Sequence, residues 1–344
     1  LCEVDLARGE TAGFRPAGYF PVGVVLSKDG KTACVVNTKG NGSVRETLQG
    51  RPGNAHNFQG TVSVIDLTTD LNRATSRVAD LNNWRRAKDV LNPNLPVYKG
   101  EIKHVLYIIK ENRTYDQVMG DVAEGNGDPS LCIFGERVTP NQHKMVREFV
   151  LLDNTYCSGI LSADGHQWSD TAFATDYMEK SFAGFPRSYP DGMEDSDVDA
   201  LAYAPSGFIW DNAIAHGKSL RVYGEFAITE TSWAVFGKTG KPAFLDYYRD
   251  FVDQTGQIDI RSRPAIESLR PYLNMQTVGW DMDIPDVFRA AQFIKELREY
   301  ERTGKLPNLI IICLPNDHTS GTRAGAPTPA AQVADNDLAF GQIV

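Results

Sequence analysis

Ile102-Lys-His-Val-Leu-Tyr-Ile-Ile-Lys-Glu-Asn-Arg-Thr-Tyr-Asp116 is the stretch on which the reading of the fold turns. Val105 to Ile109 has the length and β-branched content of a buried strand. The run stops at Glu111-Asn112-Arg113, which delivers a carboxylate, an amide and a guanidinium together at the strand's C-terminal end. In open α/β sheets that end is where ligands bind. A carboxylate beside an amide oxygen also suits a hard cation. The same residues read equally as a strand turning into a polar loop, and this stretch alone leaves both readings open.

A second apolar strand, Leu309 to Leu314, follows the clearest helical pattern in the chain. Val287, Ala290, Ala291, Ile294, Leu297 and Tyr300 fall at helical spacing, Pro285 sits near the start and Gly304 ends it. Pro315-Asn-Asp-His-Thr-Ser-Gly321 then lies at the end of that strand. If the two strands are parallel, Glu111-Asn112 and Asp317-His318 share one sheet edge. A third cluster, Leu161-Ser-Ala-Asp-Gly-His-Gln-Trp168, places Ser162 just before an Asp-Gly turn and His166 four residues on. Taken singly, Ser162 reads as a turn or cap residue and His166 as an ordinary surface or core histidine. Together the clusters would supply a nucleophile, cation ligands and donors to a phosphate.

Residues 1–83 have a different texture, with short β-rich runs separated by Gly, Asp and Lys turns. Val22 to Asn37 reads as strand, Asp29-Gly30 turn, strand. Gly60 to Leu67 reads as another strand, and its Val-Ile-Asp-Leu echoes Val4-Asp-Leu6. Such a rhythm is that of propeller blades, of which about one and a half fit here. Asn41 to Phe58 reads as a long loop, and 84–100, with Asn-Pro-Asn-Leu-Pro, as a linker. The α/β texture runs over 101–344. Within it Val146–Leu152 and Ser219–Phe226 read as strands, and Ser169–Lys180 as a helix.

Composition bounds the function. The 344 residues carry 42% hydrophobic and 23% charged side chains, ordinary for a globular chain. A net charge of −9 argues against a dedicated nucleic-acid binder, yet leaves room for an anionic small substrate. No apolar segment reaches transmembrane length, and Leu1-Cys-Glu-Val-Asp5 reads as mature structure, not as a signal peptide. Five dispersed cysteines without a CxxC pair argue against a disulfide scaffold and a zinc knuckle, and Cys34 and Cys313, in apolar runs, read as buried thiols. Trp168, Tyr177, Phe182, Phe185 and Tyr189 read as core aromatics before they read as pocket lining. The five acids between Asp191 and Asp199 lack EF-hand spacing and read as a solvated loop.

Ile102 to Asp116 resembles the signature "I-K-H-V-x-x-I-x-x-E-N-R-[ST]-[YF]-D" of phosphoesterases of the alkaline phosphatase superfamily, the group that includes bacterial phospholipase C and an acid phosphatase. Ser162-Ala-Asp-Gly-His-Gln-Trp168 is similar to that family's nucleophile string "S-x-x-N-H-Q-[YW]", with Gly165 where Asn is common. Tyr115–Asp121, Gly125–Ser130 and Leu314–Thr322 look like one subgroup, which joins a YncE-like β-propeller to the phosphoesterase domain. The resemblance implies an alkaline-phosphatase-like, mostly parallel sheet sandwiched by helices and preceded by propeller blades. It implies a divalent cation on Glu111, Asn112 and Ser162, with Ser162 as nucleophile and His166 and His318 as phosphate-side or acid/base groups. The substrate expected from it is a phosphate ester, and the location periplasmic or extracellular. In the family, further acidic ligands and a histidine follow the position of Val344, so both ends of this sequence read as cut. The competing class is a non-catalytic scaffold that keeps the fold, and within enzymes the alternative is transfer to another alcohol.

Overall fold

The computed structural model describes residues 1–38, 40, 60–82, 99–157, 159, 161–178 and 200–344. By its contacts the chain divides into two units, Leu1–Glu101 and Ile102–Val344. The loop expected over 41–58, most of the 84–100 linker, Phe182, Phe185, Tyr189 and the acidic run lie outside the described residues.

In the smaller unit, β1 (Cys2–Asp5) pairs antiparallel with β2 (Glu10–Phe14). A separate antiparallel sheet joins β3 (Pro21–Leu26), β4 (Thr32–Asn37) and β5 (Thr61–Asp66) in that order. The hairpin expected at Asp29-Gly30 is present. Gly30 takes φ +69, while Asp29 Oδ1 accepts from Ser27 Oγ at 2.6 Å and from Lys31 N at 3.1 Å. Residues of β4 alternate in burial, so Ala33 and Val35 point inward and Cys34 outward. Cys34 is thus exposed, not buried as its apolar run implies, because a strand's period of two puts it on the open face.

The all-β expectation for 1–83 fails at α1 (Leu71–Leu81), a helix. Asp70 caps it through Asn72 N at 2.8 Å and Arg73 N at 3.3 Å, and Leu71, Ala74, Val78 and Leu81 recur at helical spacing. The described residues form no closed propeller or barrel.

The larger unit is mixed α/β. Its parallel sheet has the order β6-β10-β7, from β6 (Val105–Lys110), β7 (Leu220–Tyr223) and β10 (Leu309–Leu314). An antiparallel pair, β8 (Ala227–Trp233) and β9 (Ile258–Pro264), stands apart from it. The helices are α2 (Tyr115–Met119), α3 (Pro140–Glu148), α4 (Ser162–Thr171), α5 (Ile209–Ala215), α6 (Phe244–Asp253), α7 (Asp286–Thr303) and α8 (Pro329–Ile343). All six residues of β10 are buried. Leu309 and Ile311 enter a cluster with Trp210, Phe226, Leu269 and Leu273, whereas Ile310, Ile312 and Leu314 join Val287, Phe293 and Ala339 of α7 and α8. Cores on both faces explain why this strand is a continuous apolar run. Each of its large side chains contributes about 1.5–3 kcal/mol through burial.

Two local readings are corrected. Pro140 opens α3, which runs through Glu148, and Phe149, Val150 and Leu152 beyond it lie exposed rather than in a strand. In place of the helix expected at 169–180, a helix runs over Ser162–Thr171 and stops at Ala172, which takes φ 55. The Asp-Gly of 164–165 is its first turn, with Asp164 Oδ1 accepting from Leu161 N at 2.8 Å. A carboxylate in a helix's first turn is favoured by the dipole, which here outweighs the turn preference of Asp-Gly. No described helix is long and apolar enough to cross a membrane.

Candidate functional site

Three parallel strands end at one edge, and each delivers polar groups there. Leu314 of β10 pairs with Lys110 of β6, so Glu111-Asn112 and Asn316-Asp317-His318 emerge side by side. Beyond Ile312, paired with Tyr223 of β7, come Gly224 and Glu225. Helix α4 then contributes His166 and Asp170, one turn apart and on one face.

His166 is the hub. Its Nδ1 lies 2.7 Å from Glu225 Oε1 and its Nε2 3.4 Å from Glu111 Oε2, with His166 and Glu225 both buried. Burial opposes a charge on the imidazole, but the Glu225 and Glu111 carboxylates overcome it and hold His166 well above the ordinary imidazole value. Burial and then Glu225 push the Asp170 carboxyl well up. For Glu225 burial acts upward, and His166 reverses it to leave this carboxyl below its usual range. The ligand atoms of His166, Asp170 and Glu225 all lie within 4.8 Å of one another.

Trp280 bridges the two histidines. Its ring stands edge-on to His166, with centroids 6.4 Å apart, and to His318 at 5.0 Å. His318 is half-buried, and its Nδ1 lies 3.0 Å from Thr319 O. Arg113 is committed to structure, donating from Nε to Asp317 O and from Nη2 to His318 O, both at 2.6 Å. Lys110 Nζ pairs with Asp317 Oδ2 at 3.2 Å, and burial pushes Asp317 up to about 6 despite that ammonium. One guanidinium and one ammonium from the end of β6 therefore fix the loop that presents His318.

Of the five residues expected from sequence, Glu111 and His166 are in contact. Ser162 opens α4 one turn before His166, on the same face. Asn112 follows Glu111 and is exposed. His318 meets His166 through Trp280, not directly. Compared with family models, curated proteins and solved structures, the chain matches none.

Asp170, Glu225 and Trp280 escaped the sequence reading. A signal existed for two of them. Ser219–Phe226 reads as a strand, and its Gly224-Glu225 end repeats the strand-then-polar pattern of Glu111 and Asp317. Asp170 stands four residues after His166, the helical repeat. Gly224 itself has φ +87, and a Cβ there would meet Val278 O at 2.4 Å. Gly224→Ala is therefore expected to cost at least ~2 kcal/mol through strain and clash. A urea midpoint that falls with an unchanged slope checks this.

Proposed function

We propose that the larger unit hydrolyses phosphate esters, with Ser162 as the nucleophile. The observation that carries the reading is the Glu111–His166 contact, which holds the Glu-Asn end of β6 against the helix that opens with Ser162. The donor set fits a hard cation, since Glu111 Oε1 is buried without a hydrogen-bond partner and the amide of Asn112 and hydroxyl of Ser162 add neutral oxygens. Glu111, Asn112 and Ser162 would hold that cation. When bound, it supplies Lewis acidity that lowers the Ser162 pKa and offsets charge on the phosphoryl oxygens.

The chain's own groups account for the remaining chemistry. Ser162 loses its proton to solvent and its Oγ attacks phosphorus in line. The bond to the leaving oxygen breaks as that oxygen gains a proton, and a phosphoseryl enzyme results. Water then attacks that phosphorus, releasing phosphate and restoring the hydroxyl. The positive end of the α4 dipole, at Ser162, favours the negative phosphoryl group. His318, on its braced loop, protonates the leaving oxygen or stabilises the charge on the group in transfer. His166 lies behind Glu111 and orients its carboxylate.

The test is hydrolysis of a chromogenic phosphate monoester by the full-length protein, with and without divalent cations. Turnover is expected only with a cation. Glu111→Gln should raise the cation concentration needed by about 10–100-fold, with partial rescue by excess, because an amide oxygen is a poorer ligand than a carboxylate. Cation-independent turnover, or an unchanged requirement in Glu111→Gln, would rule the assignment out.

A further inference from the structure

We propose that His166, Asp170 and Glu225 form a binding site for a divalent transition-metal ion of the zinc or manganese class, separate from the Glu111-Asn112-Ser162 oxygen set. This site stands whether or not phosphate esters are the substrate. Its first support is geometric. Three ligand atoms lie within 4.8 Å of one another, on a helix turn and at a strand end that are fixed by the core.

The second support is three orphaned oxygens. Asp170 is fully buried, yet neither of its oxygens has a donor in hydrogen-bond geometry, and Glu225 Oε2 is in the same condition. The further neighbours of Glu225 are Asp170 itself and the Cys313 thiol, a weak donor. Buried carboxylate oxygens without donors are costly, and two neighbouring carboxylates repel. The single imidazole between Glu225 and Glu111 leaves the carboxyl pair short of positive charge. A proton shared by Asp170 and Glu225 would join two of these oxygens and leave the third bare. One divalent ion satisfies all three.

The donor types set the ion class. One imidazole nitrogen with carboxylate oxygens suits zinc or manganese, whereas magnesium and calcium favour oxygen throughout. The supporting shell is also that of a metal site. His166 turns Nδ1 to the carboxylate pair and Nε2 to Glu111, and metal-binding imidazoles characteristically pair their other nitrogen with a carboxylate.

The test titrates metal-free, tag-free full-length protein with zinc chloride and with manganese chloride by calorimetry, and follows Tm. Wild type is expected to bind, with a Tm rise of about 5 °C or more once zinc exceeds Kd by about a hundredfold. Asp170→Asn and Glu225→Gln should each weaken that binding by about 100-fold or more and remove the Tm rise, whereas Glu111→Gln should weaken it by no more than about tenfold. Wild type without uptake, or Asp170→Asn with unchanged affinity, would overturn the site in favour of a shared proton. Loss of the ion in Glu111→Gln alone would assign it to the oxygen set and overturn the site too. Should the variants fail to fold, X-ray absorption on zinc-loaded wild type still decides. A shell containing one imidazole supports the site, and an all-oxygen shell refutes it. Absent ester hydrolysis alongside an intact His166-Asp170-Glu225 ion would sink only the phosphoesterase reading.

Discussion

Ser162→Ala is expected to abolish turnover of a phosphate ester by the full-length protein, by at least about 10⁴-fold, while leaving the fold intact. The size of the effect follows from two roles held by one oxygen. In the proposed mechanism Ser162 Oγ is both the attacking atom and a ligand, so its loss would remove the covalent route and loosen the cation at once. Folding should survive because Ser162 is only half-buried at the first turn of α4, where Asp164 supplies the cap. Circular dichroism and Tm check that part. Turnover near the wild-type level would reject Ser162 and point to direct attack by water.

Asp286→Ala is expected to destabilise the larger unit by about 3–5 kcal/mol, the cost of leaving a buried guanidinium unpaired. Asp286 and Arg289 are both fully buried and 3.1 Å apart. Asp286 Oδ2 also accepts from Asn316 N at 2.9 Å and Asn336 Nδ2 at 2.8 Å, so the substitution strips partners from three elements. Arg289 in turn donates to Ile284 O and Gly279 O, each at 2.7 Å, and to Asp281 O at 3.0 Å. Those carbonyls belong to the loop that sets Trp280 between the histidines. Urea unfolding measures the loss, and a change below ~1 kcal/mol would show that the pair is dispensable.

The legible parts of this chain were those where a single local pattern sufficed. Leu309–Leu314 reads as a buried strand because both of its faces need apolar residues, and Asp286–Thr303 reads as a helix because its spacing, Pro285 and Gly304 agree. Glu111 and His318 stand out in the sequence because each lies where an apolar run stops. Ser162 and Asp164 misled, since Asp-Gly favours turns in isolation and only the Leu161–Asp164 bond makes a helix start there. Helix α1 was hidden by its many polar residues, so that its cap, Asp70, was the stronger clue. Asp170 is marked in sequence only by its spacing from His166, and Trp280 by nothing, because its part in the site arises from packing between elements far apart in the chain. The superfamily expectation rests on motif likeness alone, and the parallel sheet with helices on it agrees at the level of mixed α/β.

The central position of β10 also bears on the order of folding. Val105 meets Leu309 in the sheet although the two lie about 200 residues apart, and Leu220 lies on the other side of Leu309. Closing so long a loop costs entropy before any contact repays it, so pairing of this sheet is expected to be late and slow. During synthesis β6 and β7 leave the ribosome with no strand between them, and their apolar edges stay open until Leu309–Leu314 arrives. Until that moment Glu111 and Glu225 have no common edge to share. The segment that completes the core is the one that brings the Glu111 and Glu225 strand ends to one edge, so that edge is assembled only at the final stage of folding.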